Sequence, residues 1–193
     1  MLQVVLQPDP NMDDEQFFEF CQRNRDLRIE RSAQQEIIIM PPTGGETGNR
    51  NFELSRQFGN WAKRNDSGAT FDSSTGFKLP NKAERSPDTS WVRRERLAKL
   101  TAEQKRKFIP LCPDFVVELC SPSDDLDKVK AKMDEYIANG AQLGWLIDPE
   151  TRKVHVYRPN RPVEILDHPQ QISGDPELPG FVLELAEIWE PNI

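Results

Sequence analysis

The chain has 193 residues, 36% hydrophobic and 30% charged, with a formal net charge of −7. That is the make-up of one globular domain with a full core, and it is short for two. No run of 18 apolar residues occurs, which argues against a membrane span. The first twenty residues lack the basic flank and apolar core of a signal peptide, so the expected compartment is cytoplasmic.

Residues 13 to 24 pattern as a short amphipathic helix with acidic residues in its first turn. Leu27 to Glu30 and Glu36 to Met40 read as two strands around a polar turn, hence a hairpin. Residues 1–40 are thus an N-terminal helix and hairpin extension of a single domain spanning 1–193. Pro41-Pro42-Thr43-Gly44-Gly45 breaks the chain, and Glu46 to Arg64 follows as a helix with Phe52, Phe58, Trp61 and Ala62 near one face. Thr75 to Leu79 is expected as a strand, Pro80-Asn81-Lys82 as a turn, and Asp88 to Val92 as the returning strand.

Seven basic residues lie between Trp91 and Phe108: Arg93, Arg94, Arg96, Lys99, Lys105, Arg106 and Lys107. Only Glu95 and Glu103 oppose them. Such a patch can meet phosphates even on an acidic protein, or it can be a solvated face. Trp91 adjoins it; core burial is the simpler expectation, and stacking on a base the alternative. The other tryptophans, Trp61, Trp145 and Trp189, sit in apolar contexts and read as core.

The strand Phe115 to Cys120 carries a carboxylate, Glu118, inside an apolar run. Burial there demands a compensating cation or metal. Ser123 is the expected N-cap of the next helix, and Gly140 its stop. Leu126, Val129, Met133, Tyr136 and Ile137 form the apolar face of that helix. Leu143 to Ile147 and Val154 to Tyr157 follow as strands. Strand, helix, strand suggests a parallel crossover. The tail from Leu178 to Trp189 reads as a covering element.

Three widely spaced cysteines (Cys21, Cys112, Cys120) and two histidines (His155, His168) disfavour a disulfide framework, a zinc site or a histidine triad. Any catalysis falls to carboxylates and lysines. Asp114 and Glu118 share a strand face but lie about 13 Å apart, too far for one ion. Asp88, from a neighbouring strand, is the better partner for Glu118, and Asp114 opens the strand as a supporting group. Two carboxylates with water and a phosphate suit Mg2+. Of the lysines on the next helix, Lys130 and Lys132 border opposite edges of its apolar face, and periodicity does not choose between them. A buried salt bridge at Glu118, with Asp88 capping a turn, is the competing account.

The blocks PTGGETGNRNFEL, FDSSTGFKLP, SPDTSWVRRERL, PDFVVELCSPSDDL, KMDEYIANGAQLGWLIDP and LPGFVLEL, in this order, resemble the Uma-type restriction endonuclease family. That family is a branch of the PD-(D/E)XK nuclease superfamily. The resemblance runs from about Pro41 to the C-terminus. It implies an α/β (α+β) restriction-endonuclease-like core, a mixed β-sheet flanked by helices. It implies a hydrolase: an endonuclease cutting DNA with Mg2+, or Mn2+ as a substitute. By this resemblance Asp88 and Glu118 are catalytic and bind the metal. The superfamily's lysine two positions after the acidic residue is absent, since Cys120 stands there. In the family pattern Lys132, four before Tyr136, takes its place as the third catalytic residue. A helix carboxylate, Glu46 or Glu53, is expected to complete the site, with Asp114 and Tyr136 in support. Arg93, Arg94, Arg96, Lys105, Arg106 and Lys107 are the expected DNA contacts. A homodimer would suit cutting both strands. The alternative is a degenerate nuclease fold that binds nucleic acid, or a protein partner, without cutting.

Overall fold

The computed structural model describes residues 4–6 and 12–193. Strand β1 is Val4–Leu6, and helix α1 is Asp14–Arg23, opened by a capping box in which Asp13 and Gln16 exchange hydrogen bonds. Strands β2 (Arg28–Arg31) and β3 (Ile37–Met40) pair antiparallel, as the expected hairpin, and β1 adds to β3. Helix α2 spans Gly45–Arg64. Then come β4 (Gly68–Asp72), β5 (Phe77–Lys78), β6 (Glu84–Arg85) and β7 (Thr89–Arg93).

One expected pairing is different in the structure. Strand β7 does not return along the segment at Thr75 to Leu79. It pairs antiparallel with β4, while the short β5 pairs with β6. The basic stretch holds helix α3 (Arg94–Leu97) and one 3-10 turn, Gln104–Arg106. Strand β8 (Phe115–Leu119) leads into helix α4 (Leu126–Ala138) and strand β9 (Leu143–Asp148), and β8 and β9 are parallel. The N-cap of α4 is Asp125, whose side chain accepts from the Asp127 N–H, rather than Ser123. Gly140 ends the helix with φ of +111°, a backbone region open to glycine. Strands β10 (Lys153–Tyr157), β11 (Glu164–Asp167), β12 (Gln171–Ser173) and β13 (Val182–Glu184) precede helix α5 (Ala186–Trp189).

Two larger sheets result. One runs β1-β3-β2-β6-β5, and the other β11-β10-β9-β8-β7-β4. Strand alternation sorts the second sheet into two buried faces. Phe115, Val117 and Leu119 pack with Leu54, Phe58 and Trp61 of α2 and with Phe181, Leu183 and Ile188 of the C-terminal cover. Val92, Val116 and Leu146 pack on the other face with Met133 and Tyr136 of α4, with Phe77 of the first sheet and with Leu79 just beyond it. Gly144 lets α4 sit close, because a Cβ there would lie 2.5 Å from the Met133 Cε. All four tryptophans are buried, Trp91 at 3% exposure, so none is presented to a base.

Candidate active site

The antiparallel register of β7 and β8 sets Thr89 opposite Val117 and Ser90 opposite Val116. Continued by one residue, it sets Asp88 opposite Glu118. Directly opposed residues project from the same face with Cβ atoms about 5 Å apart. Here that face is the α4 side, since Val116 and Cys120 share it with Glu118. Both carboxylates are buried, at 7% and 6% exposure. Asp88 is tied to the strand beside it: its Oδ2 accepts from the Leu119 N–H at 2.9 Å, and its Oδ1 from Arg28 at 3.3 Å.

Lys132 reaches down from α4. Its Nζ lies 3.0 Å from Glu118 Oε1 and 2.9 Å from Glu30 Oε1. Tyr136, one turn later, donates its hydroxyl to the same Glu118 Oε1 at 2.9 Å. Lys130 instead points to the surface, near Asp127. Lys132 thus approaches Glu118 from above, while the Cys120 thiol belongs to the packed face beside it.

Glu30 was not singled out from sequence, nor were Arg28, Arg85 and Glu135. The hairpin brings Glu30 in on β2. Its Oε1 also accepts from the Ser86 N–H at 2.9 Å, and its Oε2 pairs with Arg85 at 3.2 Å. Arg85 in turn binds Glu135 at 2.6 Å. The cluster therefore contains four carboxylates (Glu30, Asp88, Glu118, Glu135) and three cations (Arg28, Arg85, Lys132), one negative charge in excess.

That excess falls on Glu118. Burial pushes its carboxyl up to about 7, Asp88 and Glu30 add to the push, and Lys132 opposes it. Glu30 goes the other way despite its burial. Lys132, Arg85 and the Ser86 N–H hold it at about 2. The difference is one of partners: Glu30 has two cations, and Glu118 shares one. Glu118 and Glu30 keep Lys132 charged against its burial.

The remaining candidates lie elsewhere. Glu46 and Glu53 are on α2, which packs on the opposite face of the sheet. Glu46 pairs with Arg50, and Glu53 accepts from Arg56 and Gln57. The structure does not bring either to the cluster. Asp114 stands at the far end of β8, where it accepts from the Arg93 N–H at 2.9 Å and pairs with Arg96 at 3.0 Å. Arg94 pairs with Asp66, and Lys107 with Glu15. Lys105 and Arg106 are exposed on the 3-10 turn.

Whether these groups suit a divalent ion follows from their chemistry. Among the described residues no three His, Cys, Asp or Glu side chains converge as a cage. Two adjacent carboxylates with a surplus negative charge do fit Mg2+, which keeps waters and takes substrate oxygens for the rest. Both Lys132 and Tyr136 engage Glu118 Oε1, and among the described residues no hydrogen bond to Oε2 occurs.

The family model described as "Uma2: Putative restriction endonuclease" matches residues 14–186. Among solved structures, a crystal structure described as a putative nuclease belonging to DUF820, from Anabaena variabilis, is similar in fold. The TM-score is 0.70 at 22% identity, over 83% of this chain and 89% of that one. No curated protein matches the chain. No helix among the described residues is long and apolar enough to cross a membrane.

Proposed function

This chain belongs to the Uma2 family of putative restriction endonucleases, and on that premise we propose that it is a divalent-metal-dependent endonuclease that hydrolyses phosphodiester bonds of DNA. The observation that carries the reading is the juxtaposition of Asp88 and Glu118 on one sheet face, with the Lys132 ammonium 3.0 Å from Glu118. Asp88 and Glu118 would hold Mg2+, or Mn2+ in its place. The ion, when bound, would polarise the phosphate and acidify the attacking water. The charge balance supports this assignment. A divalent cation and one phosphodiester together add one positive charge to a cluster that has one negative charge in excess.

The protein's own groups have definite tasks in that scheme. Lys132 donates from its ammonium to the water or to a non-bridging phosphate oxygen, and so stabilises the negative charge that builds up as the new O–P bond forms. Tyr136 keeps Glu118 in one rotamer through its hydroxyl. Arg28 and the Leu119 N–H do the same for Asp88. The exposed Lys105 and Arg106, with Arg93, Arg94, Arg96 and Lys107, offer contacts to the phosphate backbone.

The test is cleavage of supercoiled plasmid with Mg2+ or Mn2+, comparing wild type with Asp88→Asn, Glu118→Ala and Lys132→Met. Cleavage should require the ion and fail in both carboxylate variants. Full cutting by either, or cutting untouched by a chelator, defeats the reading. A second reading, a fold that binds DNA without cutting, is favoured by Cys120 at the usual lysine position. Calorimetry that finds no Mn2+ binding in wild type, together with retained DNA binding at low salt, would select it.

A further inference from the structure

We propose that Glu30 is the positioning residue for Lys132, a clamp supplied by the N-terminal hairpin, and not a ligand of the metal. This inference rests on the nuclease reading for its kinetic consequence, and on the geometry alone for the clamp itself. A lysine two residues beyond Glu118 would be fixed by the strand that bears it. Here the ammonium comes from a helix at the end of a long, flexible side chain, with rotamer freedom to lose. One carboxylate on one side would let it swing. Two carboxylates at 2.9 and 3.0 Å, one from each sheet, hold it at a point between them.

Glu30 is in turn held from every side. Its Oε1 takes the Ser86 N–H as well as Lys132, and its Oε2 takes Arg85. Arg85 is anchored by Glu135, which stands three residues after Lys132 on α4. Lys132, Glu30, Arg85 and Glu135 therefore close a ring that begins and ends on the same helix. These contacts also separate the clamp from a third metal ligand. Glu30 is paired with two cations, Lys132 at 2.9 Å and Arg85 at 3.2 Å, so its charge is already matched without an ion. Asp88 and Glu118 differ: Asp88 has the single Arg28 at 3.3 Å, and Glu118 shares Lys132 with Glu30.

The experiment uses Glu30→Asp, which keeps the charge of the cluster and retracts the carboxylate by one methylene, in the full chain. Three readings are taken: Mn2+ affinity by calorimetry, side-chain relaxation of the Lys132 Cε by NMR, and cleavage kinetics with and without Lys132→Met. The clamp predicts Mn2+ affinity within about twofold of wild type and a Lys132 side chain that becomes mobile. It predicts kcat down by about tenfold or more at nearly constant KM. In the Lys132→Met background the same substitution should have almost no further effect on kcat, which a purely structural role would not produce. If Glu30→Asp does not fold, Glu30→Gln is read by relaxation and kinetics alone, since it also removes one charge from the cluster. A tenfold loss of Mn2+ affinity, or a Lys132 that stays rigid, overturns the proposal. If wild type cuts nothing, the nuclease reading fails, and relaxation and calorimetry still judge the clamp.

Discussion

Replacing Glu118 by glutamine should stabilise the metal-free protein while abolishing metal binding. The buried carboxyl titrates near 7 against an ordinary value of 4.5. The folded state therefore holds its proton more tightly than the unfolded chain does. By linkage, stability is full below the unfolded value, falls as pH rises from about 4.5 to 7, and stays low above that. The shift of roughly 2.5 units at 1.36 kcal/mol each corresponds to about 3 kcal/mol at pH 8, and to about half of that at pH 5.5. Glutamine resembles the protonated form. It keeps an acceptor for Tyr136 and removes the surplus charge. In a chain of this size a gain of 1 kcal/mol raises Tm by about 2–4 °C, so a rise of roughly 6–12 °C is expected at pH 8 in chelator, and about half of that at pH 5.5. Saturating Mn2+ should close the gap by stabilising wild type alone. Thermal unfolding followed by circular dichroism at the two pH values is the assay. A variant less stable than wild type at pH 8, or a gain that does not change with pH, refutes the charge reasoning.

Lys105→Ala with Arg106→Ala should weaken DNA binding evenly across sequences and reduce the slope of log K against log salt by about 2, leaving turnover at saturating DNA intact; an unchanged slope removes the 3-10 turn from the interface. Asp114→Asn should loosen the stretch from Arg93 to Lys107, because the carboxylate accepts from the Arg93 N–H and pairs with Arg96. Faster proteolysis within that stretch and a loss of about 1–3 kcal/mol are expected, with Mn2+ affinity unaltered.

Much of the fold was legible because local signals agreed. The hairpin of β2 and β3 is marked by a polar turn between two segments of strand character, the second of them the apolar run Ile37–Met40. The unit β8-α4-β9 is marked by caps, a helical apolar face and two continuous apolar strands. Strand β4 was not visible, since Gly68-Ala69-Thr70-Phe71-Asp72 carries one large apolar side chain and opens directly from a turn. Without it, β7 was assigned to the wrong neighbour. Strand β11 was missed for a related reason: Glu164, Ile165 and Asp167 are exposed, so this sheet edge has no buried alternation to read.

The site divides along the same line between local and distant information. Asp88 and Glu118 stand out because each interrupts or opens a buried strand, a costly place for a carboxylate. Glu30 sits in Arg28-Ile29-Glu30-Arg31, where alternating charge looks like an exposed hairpin. Its burial makes sense only when Lys132, 102 positions away, and Arg85, 55 positions away, are in place. The sequence signal that does exist is conditional. With Cys120 at the position where a strand lysine would stand, the family resemblance points to a substitute on the following helix. A helix lysine that crosses to a buried carboxylate calls for a second carboxylate to hold it. The search for that group belongs among strands facing the helix, which leads to β2. Glu46 and Glu53 are ruled out by the same test, because α2 packs against Val117 and Leu119, the side of the sheet from which Glu118 turns away.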